Sequence, residues 1–323
     1  MVDPAMILVC GEALIDLFVG RPSGFGLATE AVPGGSPFNV ASGIARLGSK
    51  VGFLSKVSED FFGRYLVRKL AEAGVDTSFV VPSALPTTLS VVVTLPDGQP
   101  HYSFYGQDSA DRSLVPAELP PSLPNEVSAI AIGSYTLAVD PVASAIEQLV
   151  AREAGRRAIS IDPNLRVRVI GDVRAWRPRF DRLLSKCTIV KASIEDLEHL
   201  YGRGVDMHEL AAQWLAAGPR LVVFTRGDSG AIAFFGETVL EMAGRKVEVI
   251  DTVGAGDTFH AALLVSLDEQ QLLGLDAISQ ASVEAIARAL HFAITASAIT
   301  CSRRGADLPT RADVEAAIHW GDT

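Results

Sequence analysis

Short uninterrupted apolar runs alternate along this chain with segments whose apolar residues recur every three or four positions. Met6–Cys10, Val51–Ser55, Val127–Ile132, Ala158–Ile161, Thr188–Lys191 and Leu221–Thr225 have the length and composition of strands buried on both faces. Between them, Phe38–Leu47, Phe61–Ala73, Pro141–Glu153 and Met207–Ala217 carry helical spacing. The alternation predicts an α/β fold with a mainly parallel sheet wrapped by helices. Ligands in such folds collect at the carboxyl ends of the strands. Two segments break the pattern. Leu89–Leu95, a turn at Pro96–Gly98 and His101–Tyr105 read as a β-hairpin, and Leu14–Val19 reads as a further extended piece. The proline-rich Pro116–Pro124 then predicts an irregular connection back to the main sheet.

Length alone, 323 residues, admits one large domain or two small ones. No Ser/Gly linker and no internal repeat divides the chain, which favours a single domain over 1–323. A hydrophobic content of 48% is ample for a core. Acidic residues outnumber basic ones by 38 to 28, a net charge of -10 that disfavours nucleic acid as a partner. The same balance means that an anionic ligand must be held by local donors and not by the overall field. Three cysteines lie far apart without metal spacing, and the six histidines show none either. The first residues lack the basic start of a signal peptide, and Ala285–Cys301 is too short to span a bilayer comfortably, so a cytoplasmic protein without a membrane partner is expected.

The most informative chemistry is Asp251–Phe259, DTVGAGDTF. Lys246–Ile250 reads as a strand before it and Ala261–Leu267 as an apolar helix after it. Glycines at 254 and 256 let the backbone approach an anion, and the helix N-terminus offers unpaired N–H groups. Amides of Gly254, Ala255 and Gly256 are the expected anion hole, with Val253 a spacer. Asp257 then sets a carboxylate beside it, which suits a base that takes a hydroxyl proton during phosphoryl transfer. Gly34 and Gly35 allow main chain to approach a polyol, and Asn39 and Asp16 offer hydrogen bonds to its hydroxyls. Thr225, Gly227 and Gly230 form a glycine turn between two apolar strands, suited to nucleotide phosphates. Arg166, beyond Asp162-Pro163-Asn164, is a candidate phosphate or substrate ligand. No Walker A loop occurs, and Gly254-x-Gly256 is not extended to the GxGxxG of a dinucleotide fold.

Four of these motifs, GGSPFNVA at 34–41 with ARLG at 45–48, DPNLR at 162–166, TRGDSG at 225–230 and DTVGAGDTF, occur in an order that resembles the ribokinase-like (PfkB) carbohydrate kinases over nearly the whole chain. The wording at 34–39, Ala110-Asp111-Arg112 and CSRRGA at 301–306 is most similar to bacterial fructokinases. The resemblance implies a three-layer α/β/α domain with a small β lid built from about 14–19 and 89–105, and a homodimer joined through that lid. It implies ATP and Mg2+, with Ser193 and Asp196 standing where the family carries an Asn-x-x-Glu motif that organises the metal through water. It further implies a monovalent cation, K+, held near Asp251 and the Arg303–Gly305 turn. The activity implied is ATP-dependent phosphorylation of the primary hydroxyl of a ketose, D-fructose to fructose 6-phosphate. The alternatives are a 2-keto-3-deoxygluconate kinase, for which Arg112 or Arg166 would supply the extra cation, and a catalytically inactive sugar- or nucleotide-binding regulator.

Overall fold

The computed structural model describes residues 5–94 and 100–321. The chain opens with β1 (Met6–Cys10), then β2 (Leu14–Ser23), β3 (Gly26–Gly34) and helix α1 (Ser36–Arg46). Next come β4 (Lys50–Leu54), β5 (Lys56–Ser58), α2 (Phe61–Glu72), β6 (Val81–Ser83), β7 (Leu89–Thr94) and β8 (Pro100–Tyr105). A run of βα units follows: β9 (Val127–Gly133), α3 (Val142–Glu153), β10 (Ala158–Asp162), α4 (Val167–Ile170), α5 (Val173–Leu184), β11 (Ile189–Ser193), α6 (Ile194–Tyr201), α7 (Met207–Ala217) and β12 (Leu221–Thr225). The chain closes with β13 (Ala231–Phe235), β14 (Thr238–Met242), α8 (Ala255–Glu269), α9 (Val283–Cys301) and α10 (Arg311–Gly321).

Eight strands form one sheet in the order β14-β13-β12-β11-β10-β9-β1-β4. All pairs from β4 to β12 are parallel, and β13 and β14 close the edge antiparallel. From β1 the chain reaches β4 on one side and β9 on the other, a reversal that opens a crevice at the carboxyl ends. Alternate residues of these strands feed two apolar clusters, one on each face. Ile7, Val9, Ile189 and Val223 pack towards α1, α8 and α9, while Leu8, Ile130, Val190 and Phe224 pack towards α3, α5 and α7. The result is the three-layer α/β/α arrangement expected. Among the described residues α9 is the one helix long and apolar enough to cross a membrane by length and composition, and 61% of that span is buried in the molecule.

A second sheet, β3-β2-β7-β8, stands apart as the lid. It is larger than the expected hairpin and extended piece, because Gly26–Gly34 contributes a strand whose outer residues are solvent-exposed and carry no apolar alternation. The turn expected at Pro96–Gly98 lies outside the described residues. A second expectation fails: Lys246–Ile250 is not a strand. That segment is irregular and largely exposed, and only its end is tied down, by Ile250 and Asp251 N–H groups donating to the Cys301 carbonyl.

Candidate active site

Asp257 is the hub. Helix α8 starts from Gly254, which adopts a left-handed conformation (φ 78°), and a Cβ there would lie 2.9 Å from that of Ala306. Only glycine meets both demands. The N–H groups of Gly254, Gly256 and Asp257 have no backbone partner among the described residues, whereas Ala255, expected as a third donor, directs its N–H to the Thr252 carbonyl at 3.2 Å. Asp257, in the first turn, is buried, and its carboxylate accepts three hydrogen bonds. Ser36 Oγ donates to Oδ1 at 2.6 Å, Asn164 Nδ2 to Oδ1 at 3.2 Å and Asn39 Nδ2 to Oδ2 at 2.8 Å. Helix packing makes that meeting possible. Gly43 of α1 leaves room for Ala261 of α8, where a Cβ would sit 2.9 Å from the alanine methyl, so the two helices approach closely enough for Ser36 and Asn39 to reach Asp257.

The side expected to take a polyol is built from the start of the chain and the lid. Asp16 pairs in register with Ser90 and Val32, and its Oδ2 would lie 2.2 Å from any Cβ on Gly34. Gly35 (φ 101°) meets the Glu12 backbone in the same way, so both glycines are required by the protein's own packing. Glu12 is a buried carboxyl that sequence reasoning passed over. It accepts from Ser36 N–H and Thr136 Oγ1, each at 3.3 Å, and burial pushes its pKa up to about 7. Burial also raises Asp16, while the Ser90 hydroxyl and the Arg166 guanidinium act the other way. Arg166 thus lies within electrostatic reach of both Glu12 and Asp16. Tyr102, on lid strand β8, lies in the field of Asp16, Arg166 and Asp251, which puts the lid over this group. Arg112 lies over the Tyr135 ring at 5.1 Å.

The opposite flank carries the expected nucleotide residues. Ser193 and Thr225 are register partners at the ends of β11 and β12. Ser193 caps α6 in a reciprocal box: its Oγ donates to Asp196 Oδ2 at 2.7 Å and accepts the Asp196 N–H at 3.1 Å. Asp196 also accepts the N–H groups of Ser193 and Leu165, so both its oxygens bind backbone. Gly227 and Gly230 both take positive φ, and a Cβ at 230 would overlap the Met242 carbonyl. Asp251 holds the expected turn directly, accepting the N–H of Val253 at 3.1 Å and of Gly305 at 2.9 Å. Among the described residues no group of three or more His, Cys, Asp or Glu side chains is arranged to hold a metal. Beneath α8, Lys191 and Asp162 form a buried ion pair at 2.7 Å that sequence reasoning did not assign to the site. Burial raises Asp162 to about 6, with Lys191 opposing and Asp196 and Asp257 adding to the rise. The available signal was a lysine inside an otherwise apolar strand segment, since a buried ammonium demands a partner.

An open cavity of about 400 Å³ lies at the other, N-terminal end of β9 and β10, lined by Arg152, Glu153, Arg156 and Arg157 among others. Arg152 and Arg157 spend donors on the carbonyls of residues 120, 121, 123, 124 and 127, which pins the proline-rich connection.

Comparison with known proteins agrees with this geometry. A family model described as pfkB family carbohydrate kinase matches residues 5–313. The fructokinase of Rhizobium leguminosarum bv. trifolii is 39% identical over 269 residues, covering 83% of this chain and 81% of that protein. The crystal structure of fructokinase with bound ATP from Xylella fastidiosa superposes with a TM-score of 0.90 at 27% identity, covering 98% of this chain and 99% of that one. A fructokinase double mutant from Vibrio cholerae O395, in a fructose-, ADP- and potassium-bound form, gives 0.81 at 29% identity and 97% of each chain.

Proposed function

The chain belongs to the pfkB family of carbohydrate kinases, and from that premise we propose that it transfers the γ-phosphoryl group of ATP to the 6-hydroxyl of D-fructose, with Asp257 as general base. One observation carries the reading: a buried carboxylate in the first turn of α8, beside unpaired backbone N–H groups and tied to α1 by Ser36 and Asn39. A carboxylate has about four lone-pair positions, and three are engaged here. The one left is available to an incoming hydroxyl.

In the step itself the sugar oxygen attacks the γ-phosphorus as its proton passes to Asp257. The bond from that phosphorus to the β,γ-bridging oxygen breaks, and ADP departs with the electron pair. Free N–H groups of Gly254, Gly256 and Asp257 stabilise charge on the phosphoryl oxygens. Asp16, the Gly34-Gly35 backbone and Asn39 hold the polyol, with the Arg166 charge within electrostatic reach of Glu12 and Asp16. Ser193, Thr225, Gly227 and Gly230 flank the nucleotide. Mg2+, when bound with ATP, neutralises phosphate charge. With no all-protein cage in the described residues, it would be held chiefly by the phosphates and water, with Asp196 bracing the loop. Asp251 organises the 303–305 turn, whose carbonyls suit K+, the ion named in the Vibrio relative's structure.

Coupled ADP-release assays over fructose, 2-keto-3-deoxygluconate, ribose, adenosine and glucose test the proposal. Fructose should give the highest kcat/KM. Saturation by 2-keto-3-deoxygluconate at concentrations where fructose is inert would overturn the fructose assignment and leave a kinase.

A further inference from the structure

Lys191 sits where simple electrostatics argues against a lysine. It is the middle residue of β11, its side chain is 3% exposed, and a Cβ placed on Gly256 would lie 3.2 Å from its Nζ. The ammonium therefore rests under the first turn of α8, whose unpaired N–H groups and aligned peptide dipoles already make that end positive. Burial of an ammonium is costly, and so is its repulsion from the helix end. Asp162 offsets part of this at 2.7 Å, and the charges of Asp196 and Asp257 also favour the ammonium. Yet the pair is not a saturated network. Asp162 Oδ1 is buried with no hydrogen-bond partner among the described residues. A half-satisfied buried pair is a poor way to hold a sheet together, and apolar residues such as Ile189 and Val223 already do that on the same face.

We propose that Lys191 is the fixed cation of the anion hole: anchored by Asp162 beneath α8, its ammonium stabilises the negative charge of the transferred phosphoryl group. The inference rests on the kinase reading above and assigns a residue to it. Gly256 is what lets the charge be felt, because no side chain separates Nζ from the N–H groups that face the phosphate. Screening in so buried a place is weaker than in water, so the ammonium acts more strongly there on charge that develops.

Two variants test it: Lys191→Met, which keeps length and loses charge, and the double variant Lys191→Met/Asp162→Asn, which leaves no orphaned carboxylate. Turnover of fructose with ATP by the unaltered enzyme comes first, and its absence would fault the functional reading and not this one. Given that turnover, both variants should lose kcat by roughly a hundredfold, the usual cost of one preorganised donor, with KM for fructose nearly unchanged. Calorimetric titration with ATP and then ADP, without sugar, should show that their preference for ATP over ADP has shrunk. A purely structural lysine would lower Tm and leave that preference intact. A folded double variant with wild-type kcat or a wild-type ATP-to-ADP ratio overturns the inference. So does failure of both variants to fold, which would make the pair a requirement of the fold.

Discussion

Asp257 reads differently in the folded chain than in the linear one. In sequence it is an acid in a helix start. In the structure it is a carboxylate fixed by Ser36, Asn39 and Asn164, three residues supplied by two other motifs. Asn39→Ala should consequently lower kcat as well as sugar affinity, whereas Asp16→Ala should act on sugar affinity, by about 1–3 kcal/mol for a lost buried partner. Separate KM determinations for fructose and ATP check this; an Asp16 variant that loses ATP affinity instead would contradict the assignment. Glu12 yields a pH prediction. Its folded pKa of about 7 lies above the ordinary 4.5, so the native state binds the proton more tightly than the unfolded chain. Its contribution to stability is complete below about pH 4.5 and is lost as pH rises to about 7, up to about 3 kcal/mol. Glu12→Gln should flatten that decline and be the more stable form at pH 8, as read by Tm against pH. An unchanged slope would contradict the buried, protonatable carboxyl.

At the scale of elements, the close crossing of α1 and α8 is what joins the two halves of the site. Gly43→Val should force the helices apart, costing about 1–3 kcal/mol from overpacking and lowering kcat by displacing Asn39 from Asp257. Wild-type kcat in a folded Gly43→Val protein would contradict that coupling. The core strands were legible in the sequence because burial on both faces demands uninterrupted apolar runs, and Met6–Cys10 and Leu221–Thr225 end where the pattern ends. Strand β3 was not legible, since most of its side chains face solvent and its pairing with β2 rests on backbone bonds. Lys246–Ile250 misled for the converse reason: Val247 and Val249 alternate with charged residues like a strand, but Val249 and Ile250 lie more than half exposed on an irregular segment. Motif spacing singled out residues near glycines, several of which the fold brings together around Asp257. Glu12 and Lys191 escaped because their significance comes from burial and from partners far away in sequence.

The whole molecule carries a net charge of -10, so an anionic nucleotide would have to be held by local donors and not by a general positive field. The lid adds a second feature at this scale. Phe25, Leu27, Val93 and Tyr105 are large apolar side chains left exposed on it, which supports a homodimer formed through the lids. Light scattering should give twice the mass of the 34.2 kDa chain, and Leu27→Asp should return it to the monomer. A monomer at tens of micromolar with full activity would contradict lid-mediated assembly.

The central claim, that Asp257 is the base of a sugar-phosphorylating site, is met most directly by the steady-state kcat of Asp257→Asn with fructose and ATP, alongside calorimetric binding of each substrate. The substitution keeps size and removes basicity. It should lower kcat by roughly 10²–10⁴ while both substrates bind within a few-fold of the unaltered enzyme. Near-normal turnover in a correctly folded Asp257→Asn protein would contradict the account.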